Sequence, residues 1–320
     1  MALSALIVPG FAAAQSDPAV TAARSLFLTE KADPTGKSVF SPSSLVVVEA
    51  GTKESSAKVQ AAFQLGEWLI TTGLSAPVEK GATQTLLADS SGLRSKTKGQ
   101  FGLRKIFSGD KDPAKNLMII CKEANIEECS TLNLKQNGKY DSVVKILVDE
   151  LKSVWVWSLG LRAEIAPENF KYSELPLLAE TSRTKTSKSV GLDIGIMKGN
   201  VSAFGTYERV AAYKAGDKND ICTQVASSSL LSCKEKVTGA PKLEDSNIVG
   251  GEIRYFISSV AFNPRLSYDL TKKTTAAELP AYFIRNDKGQ LTGGVSVAWQ
   301  SEDKWSVSVF VSQPLGLISK

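Results

Sequence analysis

The sequence predicts an all-β chain, an antiparallel up-and-down transmembrane β-barrel of about 12–14 strands with long disulfide-bearing loops. Three observations carry this expectation. From Lys58 onward apolar and polar residues alternate with period two, the mark of strands with two unlike faces. After the first residues no run of about 18 apolar residues occurs, so entry into lipid would have to use strands closed on themselves. The strand segments also follow one another through short turns, which makes sequence neighbours into sheet neighbours.

The chain opens on an apolar run from Ala2 to Val8, followed by Ala12, Ala13 and Ala14. That small-residue pattern suits a signal peptidase, so residues 1–14 are read as an export signal and Gln15 as the start of the mature chain. No Lys or Arg precedes the run, which departs from the usual signal. Residues 15–36 are read as an N-terminal segment, 37–313 as the barrel and 314–320 as a C-terminal tail.

A first strand is expected near 38–48. A hairpin follows, in which Val59, Ala61, Phe63 and Leu65 lead through Gly66 and Glu67 into Trp68, Ile70, Thr72 and Leu74. Weaker strands are expected at 84–93, 100–107, 172–181 and 279–285. The clearest strand sets Trp155, Trp157, Leu159, Leu161, Ala163 and Ile165 against Val156, Ser158, Gly160, Arg162 and Glu164. The same alternation returns around Val190 to Ile196, Ile253 to Ile257 and Phe262 to Leu270. A last hairpin pairs 291–300 with 305–312, its turn flanked by Trp299 and Trp305.

Two long polar connections, 108–153 and 214–250, interrupt the meander, and residues 141–152 of the first suit a short helix. On a count of about fourteen strands both connections fall at the same end of the barrel. Cys121 and Cys129 lie in the first, Cys222 and Cys233 in the second. Two short-range disulfides are the simplest pairing, although four cysteines allow three connectivities. Their spacing and the absence of histidine disfavour a metal site, and no cofactor is expected.

Charged residues make up 22% of the 320, both signs are dispersed, and the net charge is +5. No basic block is present to hold nucleic acid. Without histidine neither a Ser-His-Asp nor a Cys-His constellation can form. Ser55 and Lys58 have S-x-x-K spacing, but its companion motifs are missing. Acids such as Glu164, Asp193, Glu208 and Glu252 occupy strand-like segments with nothing to single out a hydrolytic pair. No catalytic residue is named and the expected class is not an enzyme.

Arg162, Glu164, Asp193, Glu252, Arg254, Arg265 and Asp269 fall on the polar faces of their strands and are candidates for lining a wet lumen. Trp68, Trp155, Trp299 and Trp305 lie at strand ends, where an aromatic girdle meets the lipid interface. Signal, meander, tryptophans and long loops together resemble a Gram-negative outer-membrane β-barrel of porin-like type, over nearly the whole mature chain. The resemblance is architectural and carries no family motif. It implies residence in outer-membrane lipid and a diffusion channel for small polar solutes. A closed barrel serving as surface anchor or adhesin, and an exported soluble β-sandwich that binds ligands, are the alternatives. Barrels of this type commonly end on an aromatic residue, whereas here ten residues follow Phe310.

Overall fold

The computed structural model describes residues 17–30, 33, 37–38, 44–52, 55–77, 88–89, 92–93, 97–108, 113–123, 131–174, 179–224, 231–257, 260–283, 292–301, 304–316 and 318–319. The expected export signal lies outside them.

Twelve antiparallel strands close into a barrel. They are β1 Ser44–Gly51, β2 Ser55–Leu65, β3 Trp68–Pro77, β4 Lys98–Ser108, β5 Val156–Glu174 and β6 Ala179–Lys198. The second half comprises β7 Val201–Lys214, β8 Lys242–Ile257, β9 (Val260–Phe262 with Arg265–Asp269), β10 Thr274–Phe283, β11 Thr292–Gln300 and β12 Lys304–Gly316. Each strand pairs with its neighbour in sequence, and β12 closes on β1 from Ser44↔Gly316 to Gly51↔Ser308. Closure leaves the barrel wall without a free edge. Strand β9 breaks at Asn263 and Pro264, where proline has no N–H to give; Ile253 N–H still reaches the Pro264 carbonyl at 3.1 Å.

The alternation read from sequence sorts the wall into two faces. Outward lie Val59, Leu74, Phe101, Leu159, Leu161, Ile194, Ile253, Leu266, Leu279 and Val309, all exposed. Such a continuous apolar surface is out of place in water and suited to lipid. On β5 the belt runs from Trp157 to Ile165, about 27 Å along the strand and about 21 Å along the axis at a tilt of about 40°. Beyond it β5 and β6 continue as a polar extension, with Lys171, Arg183 and Lys188 exposed. Among the described residues no helix is long and apolar enough to cross a membrane.

Both ends of the strand order, Ser44 and Gly316, lie at one mouth, here the helical end. Helix α1, Pro18–Glu30, precedes β1, and between β4 and β5 the chain forms α2 Pro113–Glu123, α3 Thr131–Gln136 and α4 Tyr140–Ser153. Asp17 starts α1 by accepting the Ala19 N–H at 2.8 Å. Helix α4 carries Asp141 in its first turn and Lys152 in its last, matching the helix dipole. Its end is tied to the β6–β7 turn by Gly199 N–H donating to the Lys152 carbonyl at 2.9 Å, and Gly199 has φ +52°. Partial burial, with the charges of Asp17 and Asp141, holds the Tyr140 phenol above its ordinary value.

Phe27 and Leu28 of α1, Leu117 of α2, and Val144, Leu147 and Leu151 of α4 are buried in one cluster. It includes Ala62, Leu69, Ile106, Val156, Met197 and Phe204, inner-face side chains of the β2 to β7 wall. Leu45, Val47, Phe256, Ala261, Tyr282 and Phe310 form a second inner cluster on the β8 to β12 and β1 wall. At the helical end the interior is therefore apolar and packed.

The opposite mouth, the ribbon end, carries a hairpin of Asp217–Gln224 and Leu231–Thr238. Cys222 and Cys233 face each other across it and are disulfide-bonded. Thr238 meets Ser173 of β5, so the ribbon leans on the strand extension. Cys121 is also disulfide-bonded, and Cys129 lies outside the described residues.

Four expectations need correction. The long connections sit at opposite ends, since β4 and β7 run in opposite directions. The stretch 172–181 is no separate strand but the outer part of the β5–β6 hairpin, and 84–93 gives only the small pair Ala88–Asp89 and Gly92–Leu93. Removing those two strands shifts the parity of the later ones unequally, which separates the loops. Residues 214–250 are largely paired, in the ribbon and the first half of β8.

Candidate functional site: the charged lumen

Inside the barrel the polar half of each alternating strand converges, and charges meet in two groups on opposing walls. On the β4 to β7 wall Arg104 pairs with Asp193 at 2.5 Å and donates to Ser158 at 2.8 Å. Arg162 pairs with Glu208 at 2.5 Å. Glu164 accepts from Gln100 at 2.9 Å and from Lys98 at 3.3 Å. These rows are possible because glycines leave room. A Cβ on Gly160 would lie 2.5 Å from the Asp193 carboxylate, and one on Gly195 would lie 2.3 Å from the Phe204 ring.

The other wall is built by β1 and β8 to β10. Arg254, wholly buried, lies 3.4 Å from Glu252. Arg265 reaches Glu252 and Glu278 at 3.3 Å each. Glu278 also accepts from Ser296 at 2.7 Å. Asp33, Lys37 and Ser38, from the stretch between α1 and β1, join this group.

Between the walls lies a cavity of about 1000 Å³. Lys58, Gln60, Thr71, Gln100, Arg162 and Glu208 are among its lining and offer hydrogen bonds to its interior. The paired carboxylates and cations make this a polar, charged compartment. The S-x-x-K pair, Ser55 and Lys58, lies at the start of β2, and both residues border this cavity.

Of the residues expected to line a lumen, Arg162, Glu164, Asp193, Glu252, Arg254 and Arg265 are placed in these two groups. Asp269 is instead at the ribbon-end rim, where it accepts the Thr271 and Lys272 N–H groups at 2.9 and 3.0 Å and shapes the β9–β10 turn. Trp68 and Trp155 are exposed at the helical end, whereas Trp299 and Trp305 pair at the ribbon end. Phe310 faces inward and is buried, so it is no terminal belt aromatic.

Arg104, Glu278, Asp33, Lys37 and Ser38 escaped the sequence reading. Arg104 had a signal, since Gln100, Gly102 and Arg104 alternate with Phe101, Leu103 and Lys105. Glu278 lay one residue outside the expected strand 279–285. Asp33, Lys37 and Ser38 carry no periodicity that would send them inside.

A closed antiparallel wall with an apolar outer belt and a charged interior is the architecture of a porin-like outer-membrane β-barrel. No family model matches the sequence, and no curated protein does. Among solved structures the chain is similar to the KdgM porin in complex with disordered oligogalacturonate, at 8% identity over 85% of this chain and 98% of that one, with a TM-score of 0.42. It is similar to the NanC porin at 9% identity, over 85% and 100%, with a TM-score of 0.42. The translocator domain of the autotransporter NalP from Neisseria meningitidis matches at 11% identity, over 91% and 92%, with a TM-score of 0.35. These likenesses concern architecture, and the functional reading below rests on this chain's own residues.

Proposed function

We propose that this chain is exported to the outer membrane, with residues 1–14 as its signal, and serves there as a diffusion channel for small polar solutes. The observation that carries this reading is the cavity of about 1000 Å³ held inside a lipid-facing wall and lined by paired charges, amides and hydroxyls. A solute entering it exchanges water for hydrogen bonds of similar kind, so it is neither repelled nor trapped. The disulfide Cys222–Cys233 suits an oxidising compartment outside the cytosol.

The apolar cluster at the helical end makes the described state a closed one, and this favours a second reading, a sealed barrel acting as a surface anchor. Planar-bilayer recording of the detergent-extracted protein separates the two. Reproducible conductance steps are expected of the channel. Protein that co-purifies with outer membranes, shows heat-modifiable migration and yet passes no current under any voltage overturns that reading in favour of the anchor.

A further inference from the structure

At the helical end the outer face of the wall sets positive charge among its aromatic rings. Lys105 of β4 shares the outward face with Phe101 and Phe107 and is in register with Trp68 of β3. Its ammonium lies 5.6 Å from the centre of the Trp68 ring and 5.1 Å from that of Phe107. Lys198 of β6 shares its outward face with Leu192 and Ile194 and holds its ammonium 5.2 Å from the Trp155 ring centre. Between the two lysines Trp157 of β5 pairs with Phe107 on one side and Ile196 on the other. Trp68, Phe107, Trp155 and Trp157 are all exposed.

We propose that this sector of the outer face, β3 to β6 at the helical end, binds the headgroup of an anionic phospholipid, its phosphate met by Lys105 and Lys198 and its glycerol region resting on the rings. The site needs the lipid-facing wall and holds whether the lumen is open or shut. Trp157 ends the apolar belt of β5 and Trp155 lies one step beyond, so the rings stand where acyl chains give way to headgroups. Each lysine runs its apolar stem along the wall and carries its ammonium to that level. A ring covers one side of the ammonium, which has three N–H donors to share, and the Lys105 side chain keeps 37% of its exposure. Glu67 lies 4.0 Å from Lys105 and is shared with Arg24 at 3.8 Å, so the sector keeps a positive surplus. Across the barrel, at the same end, the described outward residues Ile257, Phe262 and Phe283 carry no charge. A lipid phosphate therefore meets complementary charge on one side of this mouth.

The test reconstitutes the full chain into phosphatidylcholine vesicles doped with brominated phosphatidylglycerol or brominated phosphatidylcholine. Trp299→Phe and Trp305→Phe are introduced first, so that Trp68, Trp155 and Trp157 alone report through quenching of their fluorescence. Brominated phosphatidylglycerol is expected to bind roughly fivefold more tightly than brominated phosphatidylcholine, which corresponds to about 1 kcal/mol. Lys105→Ala with Lys198→Ala should equalise the two lipids, whereas Lys105→Arg with Lys198→Arg should keep the preference. Heat-modifiable migration confirms that each variant is folded.

Lys171→Ala with Lys188→Ala removes the same charge from the polar extension at the other end and should leave the preference unchanged. A preference that survives loss of Lys105 and Lys198, or that falls equally in this charge-matched variant, overturns the site. Displacement of the lipid by inorganic phosphate at constant ionic strength also overturns it, because the lysines would then serve a soluble anion. Current through the lumen does not enter this readout, so the outcome is separate from that of the channel reading.

Discussion

Arg104 and Asp193 form an ion pair that reaches across an intervening strand. Both are in register with Gly160 of β5, Arg104 from β4 on one side and Asp193 from β6 on the other. The missing side chain at Gly160 is what lets the 2.5 Å contact pass over the strand, and the Arg104 guanidinium then also lies 5.8 Å from the Phe204 ring centre. The row joins the charged wall to the apolar cluster beneath it.

Gly160→Ala should therefore destabilise the barrel by about 1–3 kcal/mol, because the new methyl meets the Asp193 carboxylate. Gly251→Ala is the control, since a Cβ there would meet nothing closer than 3.6 Å. Urea unfolding followed by tryptophan fluorescence in detergent measures both. Equal losses in the two variants would mean that the row places no special demand on Gly160.

Arg104→Ala leaves Asp193 buried without its cation and should cost about 3–5 kcal/mol, while the double change Arg104→Ala with Asp193→Ala should recover part of that loss. A double-mutant cycle on the same unfolding midpoints yields the coupling. Additive losses would remove the pair from the account of wall stability.

The Arg162 and Glu208 pair borders the cavity, so breaking it from either side should push selectivity in opposite directions. Glu208→Gln leaves the guanidinium facing the lumen and should favour anions. Arg162→Ala leaves the carboxylate and should favour cations. Reversal potentials in a salt gradient measure the sign, and shifts in the same direction would contradict a lumen role for the pair.

Leu147 is fully buried where α4 meets the inner wall, so Leu147→Ala should loosen the helical closure by about 2–4 kcal/mol while the distant strands keep their pairing. Hydrogen exchange resolved by peptide should show faster exchange in α1 and α4 and little change in β10 to β12. Uniformly faster exchange would make the helices part of one cooperative unit with the barrel.

Replacing Cys222 and Cys233 by serine should release the ribbon and leave the wall intact, since the ribbon meets the barrel through the pairing of Thr238 with Ser173. Limited proteolysis should cut between the two ribbon strands sooner, at an unchanged unfolding midpoint. A lowered midpoint would assign the ribbon a share in holding β5.

Much of the wall was legible because an apolar outer face and a polar inner face impose opposite demands on neighbouring residues. Trp157, Leu159 and Leu161 could only share a face if Ser158, Gly160 and Arg162 shared the other, and both the strand and its inward charges follow. The signal fades where both faces are apolar. Ile106, Val156 and Met197 point inward at the helical end, yet next to outward Phe107, Trp157 and Ile196 they read as uninterrupted apolar runs. It fades again beyond the belt, where the β5–β6 extension has no continuous apolar outer face and the strand was cut in two.

The sequence by itself determined the class of wall, its outward belt, the turn at Gly66, and the tryptophans at strand ends, since each depends on residues a few positions apart. Tertiary structure alone decided which mouth each long connection serves, because one misplaced strand reverses the parity of those after it. It alone also placed Lys37 against Glu278, 241 positions away in the chain. Barrel closure brings β10 near β1 and Lys37, and a contact made by closure leaves no trace in local periodicity.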